Sequence, residues 1–213
     1  MSIQKDLLVV AADLDAENAL IGILSRHHSL GTFPLRLGEN ATILRLQGDS
    51  NCYIQGVDYL RRFCTQYQHA LLMFDLHGSG RDGDDPAVIE NDLDQDLARN
   101  GWEADRARAI VIDRELEAWV WSQSPHVATS LSRSSPQALA IWLKQEKWLA
   151  EGQSKPPLPK EALHAAYGKQ PRAPFFQELA KKVKFKDCQD RSFNRLLTTL
   201  RTWFPATPPE GSS

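Results

Sequence analysis

Residues 70–75, Ala-Leu-Leu-Met-Phe-Asp, decide the fold: five apolar side chains in a row, then an acid. The run is short and bounded by polar residues, which predicts a buried strand rather than a helix. Two other stretches repeat the pattern. Leu7-Leu-Val-Val-Ala-Ala runs into Asp13, and Ala109-Ile-Val-Ile runs into Asp113. Strands buried on both faces belong to parallel sheets covered by helices, and the segments between these runs carry helical spacing. Ala16, Ala19, Leu20, Ile23 and Leu24 recur at intervals of three and four, as do Ile54, Val57, Leu60 and Cys64. Pro86 behind Asp85 opens a third helix through Ile89, Leu93 and Leu97, which Asn100-Gly101 closes. Ile43, Leu44 and Leu46 supply a weaker strand. Arg114-Glu-Leu-Glu-Ala-Trp-Val-Trp121 predicts one more helix directly after the last strand. The alternation predicts an α/β fold with a mostly parallel sheet flanked by helices, its binding crevice at the carboxyl ends of the strands.

Beyond residue 125 the character changes. Residues 136–150 read as a helix with Leu139, Trp142, Leu143 and Leu149 facing inward, followed by the turn-rich linker Gly-Gln-Ser-Lys-Pro-Pro-Leu-Pro-Lys160. Glu161–Tyr167, Pro174–Val183 and Ser192–Trp203 predict three short helices. The chain thus divides into an α/β domain (1–125), a helical C-terminal extension (126–205) and a disordered tail (206–213).

With 213 residues, 42% hydrophobic and 24% charged, the chain has the composition of a globular protein, not of a collagen or a disordered segment. It holds no apolar run long enough to span a bilayer and no basic start leading into an apolar leader, so a cytoplasmic protein without membrane contact is expected. Cys52, Cys64 and Cys188 form no C-x-x-C pair, and neither a disulfide framework nor a zinc site is indicated. The net charge of −2 conceals an asymmetry: residues 1–113 hold 18 acidic and 10 basic side chains, residues 114–213 hold 9 and 15. The front half is suited to collecting cations and the back half to facing phosphates.

Acids follow each core strand: Asp13 with Asp15 and Glu17, then Asp75, then Asp113 with Glu115 and Glu117. In a parallel sheet these positions share one edge. Helix capping explains one acid per loop; clusters of two or three suit a hard divalent cation such as Mg²⁺ or Mn²⁺, which clamps phosphate oxygens and activates water. His77 stands two residues beyond Asp75 in a glycine-rich loop, placed as a ligand or proton carrier. The acidic run from Asp82 to Asp96 matches no calcium loop and reads as a solvated surface. The remaining histidines read as surface or helix-end residues, and the tryptophans as packing residues.

These motifs resemble those of a TOPRIM-like uncharacterised family encoded near bacterial restriction and phage-defence genes. Asp13-Leu-Asp-Ala-Glu17 resembles the family's E-G-x-x-E motif, and Asp75-Leu-His77 stands where D-x-D is found. Arg114-Glu-Leu-Glu-Ala-Trp119 is similar to [HP]-E-x-E-A-[LW]. Pro159-Lys-Glu-Ala-Leu163, Tyr167-x-Lys169 and Cys188-x-Asp-x-Ser-Phe193 resemble the C-terminal pattern. A narrower resemblance is to a component of methylation-associated defence systems. The resemblance implies a TOPRIM-like domain doing phosphodiester chemistry, with Asp13 and Glu17 as catalytic acids and Asp75, His77, Glu115 and Glu117 holding Mg²⁺ or Mn²⁺. Three departures bear on activity: Asp13 is one methylene shorter than glutamate, Leu14 replaces glycine, and His77 replaces the second aspartate.

Lys181, Lys182, Lys184 and Lys186, continued by Arg191 and Arg195 and interleaved with Phe185 and Phe193, have the makings of a nucleic-acid track. Two functions are therefore expected. One is a metal-dependent nuclease or nucleic-acid-processing component of an anti-phage defence system, with other defence-operon proteins as partners. The other is a degenerate, non-catalytic TOPRIM-like subunit that binds the partner proteins of a defence complex.

Overall fold

The structure, a computed structural model, describes residues 4–103 and 105–206. Strand β1 (Lys5–Ala11) leads through helices α1 (Leu14–Leu24) and α2 (His27–Leu30) to β2 (Ala41–Arg45). Helix α3 (Asp49–Arg61), β3 (Tyr67–Asp75), α4 (Pro86–Leu97) and β4 (Ala107–Ile112) follow. All four strands are parallel, in the order β2-β1-β3-β4. This is the α/β class expected, with the sheet wholly rather than mostly parallel. From β1 the chain first steps outward to β2 and then returns past β1 to β3, so the direction of winding reverses between β1 and β3. Ligand crevices of open α/β sheets lie at such a switch point, outside the carboxyl ends of the strands.

The two-residue period of the strands sorts their side chains into two cores. Leu7, Val9, Ala11, Leu71, Met73, Ile110 and Ile112 face α1; Leu8, Val10, Leu72, Phe74, Ala109 and Val111 face α3 and α4. Gly56 lets α3 close onto the sheet, because a Cβ there would stand 2.6 Å from the Leu72 side chain.

The C-terminal half supplies most of the cover for the α1 face. It comprises α5 (Pro125–Ser130), α6 (Pro136–Gln145), α7 (Pro159–Tyr167), α8 (Ala173–Ala180) and α9 (Arg191–Trp203). Leu163, Phe176, Leu196 and Leu200 are buried in the same core as Leu7 and Ile110, so residues 126–205 form a layer of the fold rather than hanging beside it. Helices α1 and α8 touch at Gly22, where a Cβ would stand 2.6 Å from the Gln177 carbonyl oxygen. The disordered tail expected over 206–213 lies, apart from Ala206, outside the described residues.

One predicted helix is absent: after β4 only a short 3₁₀ turn forms (Leu116–Trp119). Leu116, Glu117 and Ala118 are all buried there, which leaves no polar face along which an amphipathic helix could run. The acidic run is also not simply solvated. Glu90 is 1% exposed; its Oε1 accepts the Val111 N–H at 2.9 Å, and Asp94 Oδ1 accepts the Ala109 N–H at 2.7 Å. The matching carbonyls take Arg191 Nη2 at 3.0 Å and Arg195 Nε at 3.0 Å. Arg191 also binds Glu90 (2.5 and 3.2 Å), and Arg195 binds Asp94 (2.7 Å). Two acids one turn apart on α4 and two arginines one turn apart on α9 thus occupy the backbone groups of Ala109 and Val111 on the outer edge of β4, which would otherwise offer free ladder groups to another strand.

Candidate functional site

Four segments bring carboxylates to the carboxyl edge of the sheet. Asp13 follows β1, Asp49 opens α3 after β2, Asp75 ends β3, and Glu115 and Glu117 belong to the turn after β4. Asp13 caps α1, accepting the Ala16 N–H at 2.8 Å, and Glu17 pairs with Arg45 at 2.8 Å. Asp49 Oδ1 accepts the backbone N–H of Asp75 at 2.8 Å, which fastens the β2–α3 loop to the end of β3. Glu115 and Glu117 are each 4% exposed, and Glu115 Oε2 is buried without a hydrogen-bond partner.

Proton affinities show that these groups feel one another. Burial pushes the Asp75 carboxyl well above the usual carboxylate range, and the charges of Asp49, Glu117 and Asp13 add to it. Burial likewise raises Asp49, with Asp13 contributing, and raises Asp15. Glu117 is pushed up to about 7, by burial first, with Glu115 and Asp15 adding to the shift and Lys160 opposing it. A buried acid with a pKa near neutrality is what proton transfer at physiological pH requires.

Lys160 completes the site. It stands in the first turn of α7, half-buried, and the Trp121 indole N–H donates to the Pro159 carbonyl at 3.0 Å, tying that turn to the segment after β4. Burial works against the ammonium charge, yet Glu117, Glu115, Asp75 and Asp13 outweigh it and raise the Lys160 pKa.

The predicted site residues divide accordingly. Asp75 feels the charges of Asp13 and Glu117, and Glu117 that of Glu115, whereas Glu17 turns to Arg45. His77 Nδ1 bonds Asp82 Oδ1 at 2.7 Å on the exposed loop, and the backbone N–H of His77 donates to the Arg114 carbonyl at 3.0 Å. Sequence reasoning missed Asp49 and Lys160. The Leu46-Gln-Gly-Asp49 turn after the weaker strand was the available signal for the first; only tertiary structure brings in the second. Among the basic residues, Lys182, Lys184 and Lys186 are exposed, Lys181 pairs with Glu178 at 2.9 Å, and Arg191 and Arg195 are engaged with Glu90, Asp94 and the β4 edge. His69, expected at the surface, is half-buried and stacked on Trp203 at 4.5 Å between centroids; burial and Arg106 lower its pKa to about 4.

The oxygen donors suit a hard divalent ion in kind. Their spacing does not: among the described residues, no three of the Asp, Glu, His and Cys side chains form a group that could hold a metal ion. Nor is any helix among the described residues long and apolar enough to cross a membrane.

Fold and site together define a parallel α/β protein with carboxylates at the carboxyl ends of its strands and a half-buried lysine of its C-terminal helices within their electrostatic reach. No protein-family model, curated protein or solved structure matches the chain.

Proposed function

We propose that this protein is a nucleic-acid-processing component of a bacterial anti-phage defence system, a cytoplasmic nuclease that hydrolyses phosphodiesters at the acid-lined sheet edge. One observation carries the reading: Asp75, at the end of β3, feels the charges of Asp13, Asp49 and Glu117, and Asp49, Asp75 and Glu117 are all raised in proton affinity. Carboxyls held at raised proton affinity by burial and by one another's charge are enriched at functional sites. Glu117 is the best placed proton acceptor. It takes the proton of a water whose oxygen attacks phosphorus as the bond to the leaving oxygen breaks. Asp13 and Glu17, engaged in capping and ion pairing, are less suited to that role. Mg²⁺ or Mn²⁺ belongs to this reading as the ion the donors suit in kind, and no step is assigned to it. Lys182, Lys184 and Lys186 supply the exposed positive charge for a phosphate chain.

A second reading is a TOPRIM-like subunit without activity that binds the proteins of a defence complex. The pairing of His77 with Asp82, where a second acidic ligand would be needed, favours it. Incubation of plasmid, single-stranded DNA and RNA with Mg²⁺ or Mn²⁺ separates the two. The nuclease reading expects cleavage by the natural protein and none by Asp75→Asn. Intact substrates throughout, with an operon partner retained on the purified protein, support the second.

A further inference from the structure

Helices α7 and α8 meet in a loop that turns its charges outward. Gly168, with φ at +80°, closes α7 in the left-handed region; beyond it Pro171 and Ala173 are buried while Lys169 and Arg172 stay exposed. Tyr167, the last residue of α7, and Phe175, in the first turn of α8, are half-buried, with ring centroids 5.0 Å apart. Phe175 meets the buried Phe176 edge-on at 5.5 Å, which roots the pair in the core. The Lys169 ammonium lies 5.7 Å from the centre of the Tyr167 ring. With Lys182 just beyond α8, these side chains line an open groove of about 870 Å³. The groove's carboxylate, Glu178, is paired with Lys181 at 2.9 Å, and among the described residues the charged groups of Lys169, Arg172 and Lys182 have no ion-pair partner.

We propose that this groove binds a single-stranded nucleic acid, with bases against Tyr167 and Phe175 and phosphates on Lys169, Arg172 and Lys182. Three unpaired cations select a polyanion by charge complementarity, and a ring pair set among them offers the stacking that unpaired bases take regardless of sequence. A duplex keeps its bases stacked on one another and would engage the cations alone. An acidic peptide would do the same. The groove also stands apart from the acid-lined sheet edge: the segment after β4 is tied to Pro159 at one end of α7, and the groove opens at Tyr167, about 12 Å away by the helical rise. It is thus a holding site separate from the acids. The proposal rests on the reading of a nucleic-acid-processing protein and names the strand form that such a protein takes up.

Fluorescence anisotropy of labelled oligothymidylate and oligouridylate of about 20 nucleotides, longer than one binding site, tests this on the full-length chain in EDTA, with duplex DNA of the same length and polyglutamate as comparisons. At least one of the two single strands is expected to bind on the order of tenfold more tightly than either comparison. Tyr167→Leu and Phe175→Leu, which keep apolar bulk, should each weaken that binding on the order of tenfold. Replacing Lys169, Arg172 and Lys182 together by glutamine should lower the slope of log affinity against log salt by about 2, at about 0.7 per phosphate contact, which a role in packing alone would not do. Should Phe175→Leu fold poorly, Tyr167→Leu and the glutamine variant carry the test. No binding by the natural protein, duplex or polyglutamate bound as tightly as both single strands, or folded variants that bind like the natural protein overturn the proposal. Groove variants that lose binding in a protein that cleaves nothing leave the groove standing and sink the nuclease reading; cleavage by a protein whose groove variants bind normally does the reverse.

Discussion

The Asp49 carboxylate accepts the backbone N–H of Asp75 at 2.8 Å, although the two side chains repel each other. One group thus ties two strand ends together and loads the site with a second negative charge. The two roles come apart on substitution. Asp49→Asn keeps an oxygen for the Asp75 N–H and removes the charge; Asp49→Ala removes both. Urea unfolding at pH 8 is expected to show Asp49→Asn at least as stable as the natural protein, and Asp49→Ala less stable than Asp49→Asn by about 1–2 kcal/mol.

Glu117 makes stability depend on pH with a definite sign. Its proton affinity rises on folding, from 4.5 to about 7, so the folded state holds a proton that the unfolded state has released. The contribution is full below pH 4.5 and is lost as the pH climbs through about 7. Across that window it amounts to about 3 kcal/mol. Lys160 faces Glu117 and works against the shift; Glu115 and Asp15 reinforce it. Unfolding free energies between pH 5 and 8 should fall with rising pH, and Glu117→Gln should flatten the fall.

The clamp on β4 depends on Glu90, which is fully inside the protein and holds both the Val111 N–H and Arg191. Glu90→Ala strands a buried backbone donor and releases an arginine. A loss of about 3 kcal/mol is expected in chemical unfolding. Arg191→Ala leaves the buried Glu90 with Arg195 at 3.4 Å and should cost less.

Three strands were legible because each contains an uninterrupted apolar run too short for a helix, β2 less so because Thr42 and Arg45 interrupt it, and the acids behind them because a parallel sheet puts strand ends on one edge. The turn at Leu116–Trp119 was misread as a helix because Glu, Leu, Ala and Trp are tolerated in helices; burial of Glu115 and Glu117 is a tertiary fact that local spacing does not encode. Glu90 and Asp94 looked solvated for a similar reason. Acids one turn apart on α4 gain meaning only when Arg191 and Arg195, about a hundred residues later, dock against the same strand edge. All three cysteines are free, and burial pushes the Cys52 thiol up to about 12 and that of Cys188 to about 11. Lys160 lay within the quoted Pro159–Leu163 motif, but nothing local in that motif ties it to acids that follow strands far earlier in the chain.

The most direct measurement of the central claim is the single-turnover rate of phosphodiester cleavage as a function of pH, for the natural protein and for Glu117→Gln. If the acid-lined edge is the reactive site and Glu117 its proton acceptor, the rate climbs as Glu117 loses its proton and levels off above about pH 7. Glu117→Gln should then lose roughly 10²–10⁴-fold and the dependence with it. A rate that keeps the same pH profile and magnitude in Glu117→Gln, or a natural protein that cleaves no substrate at any pH, would contradict the account.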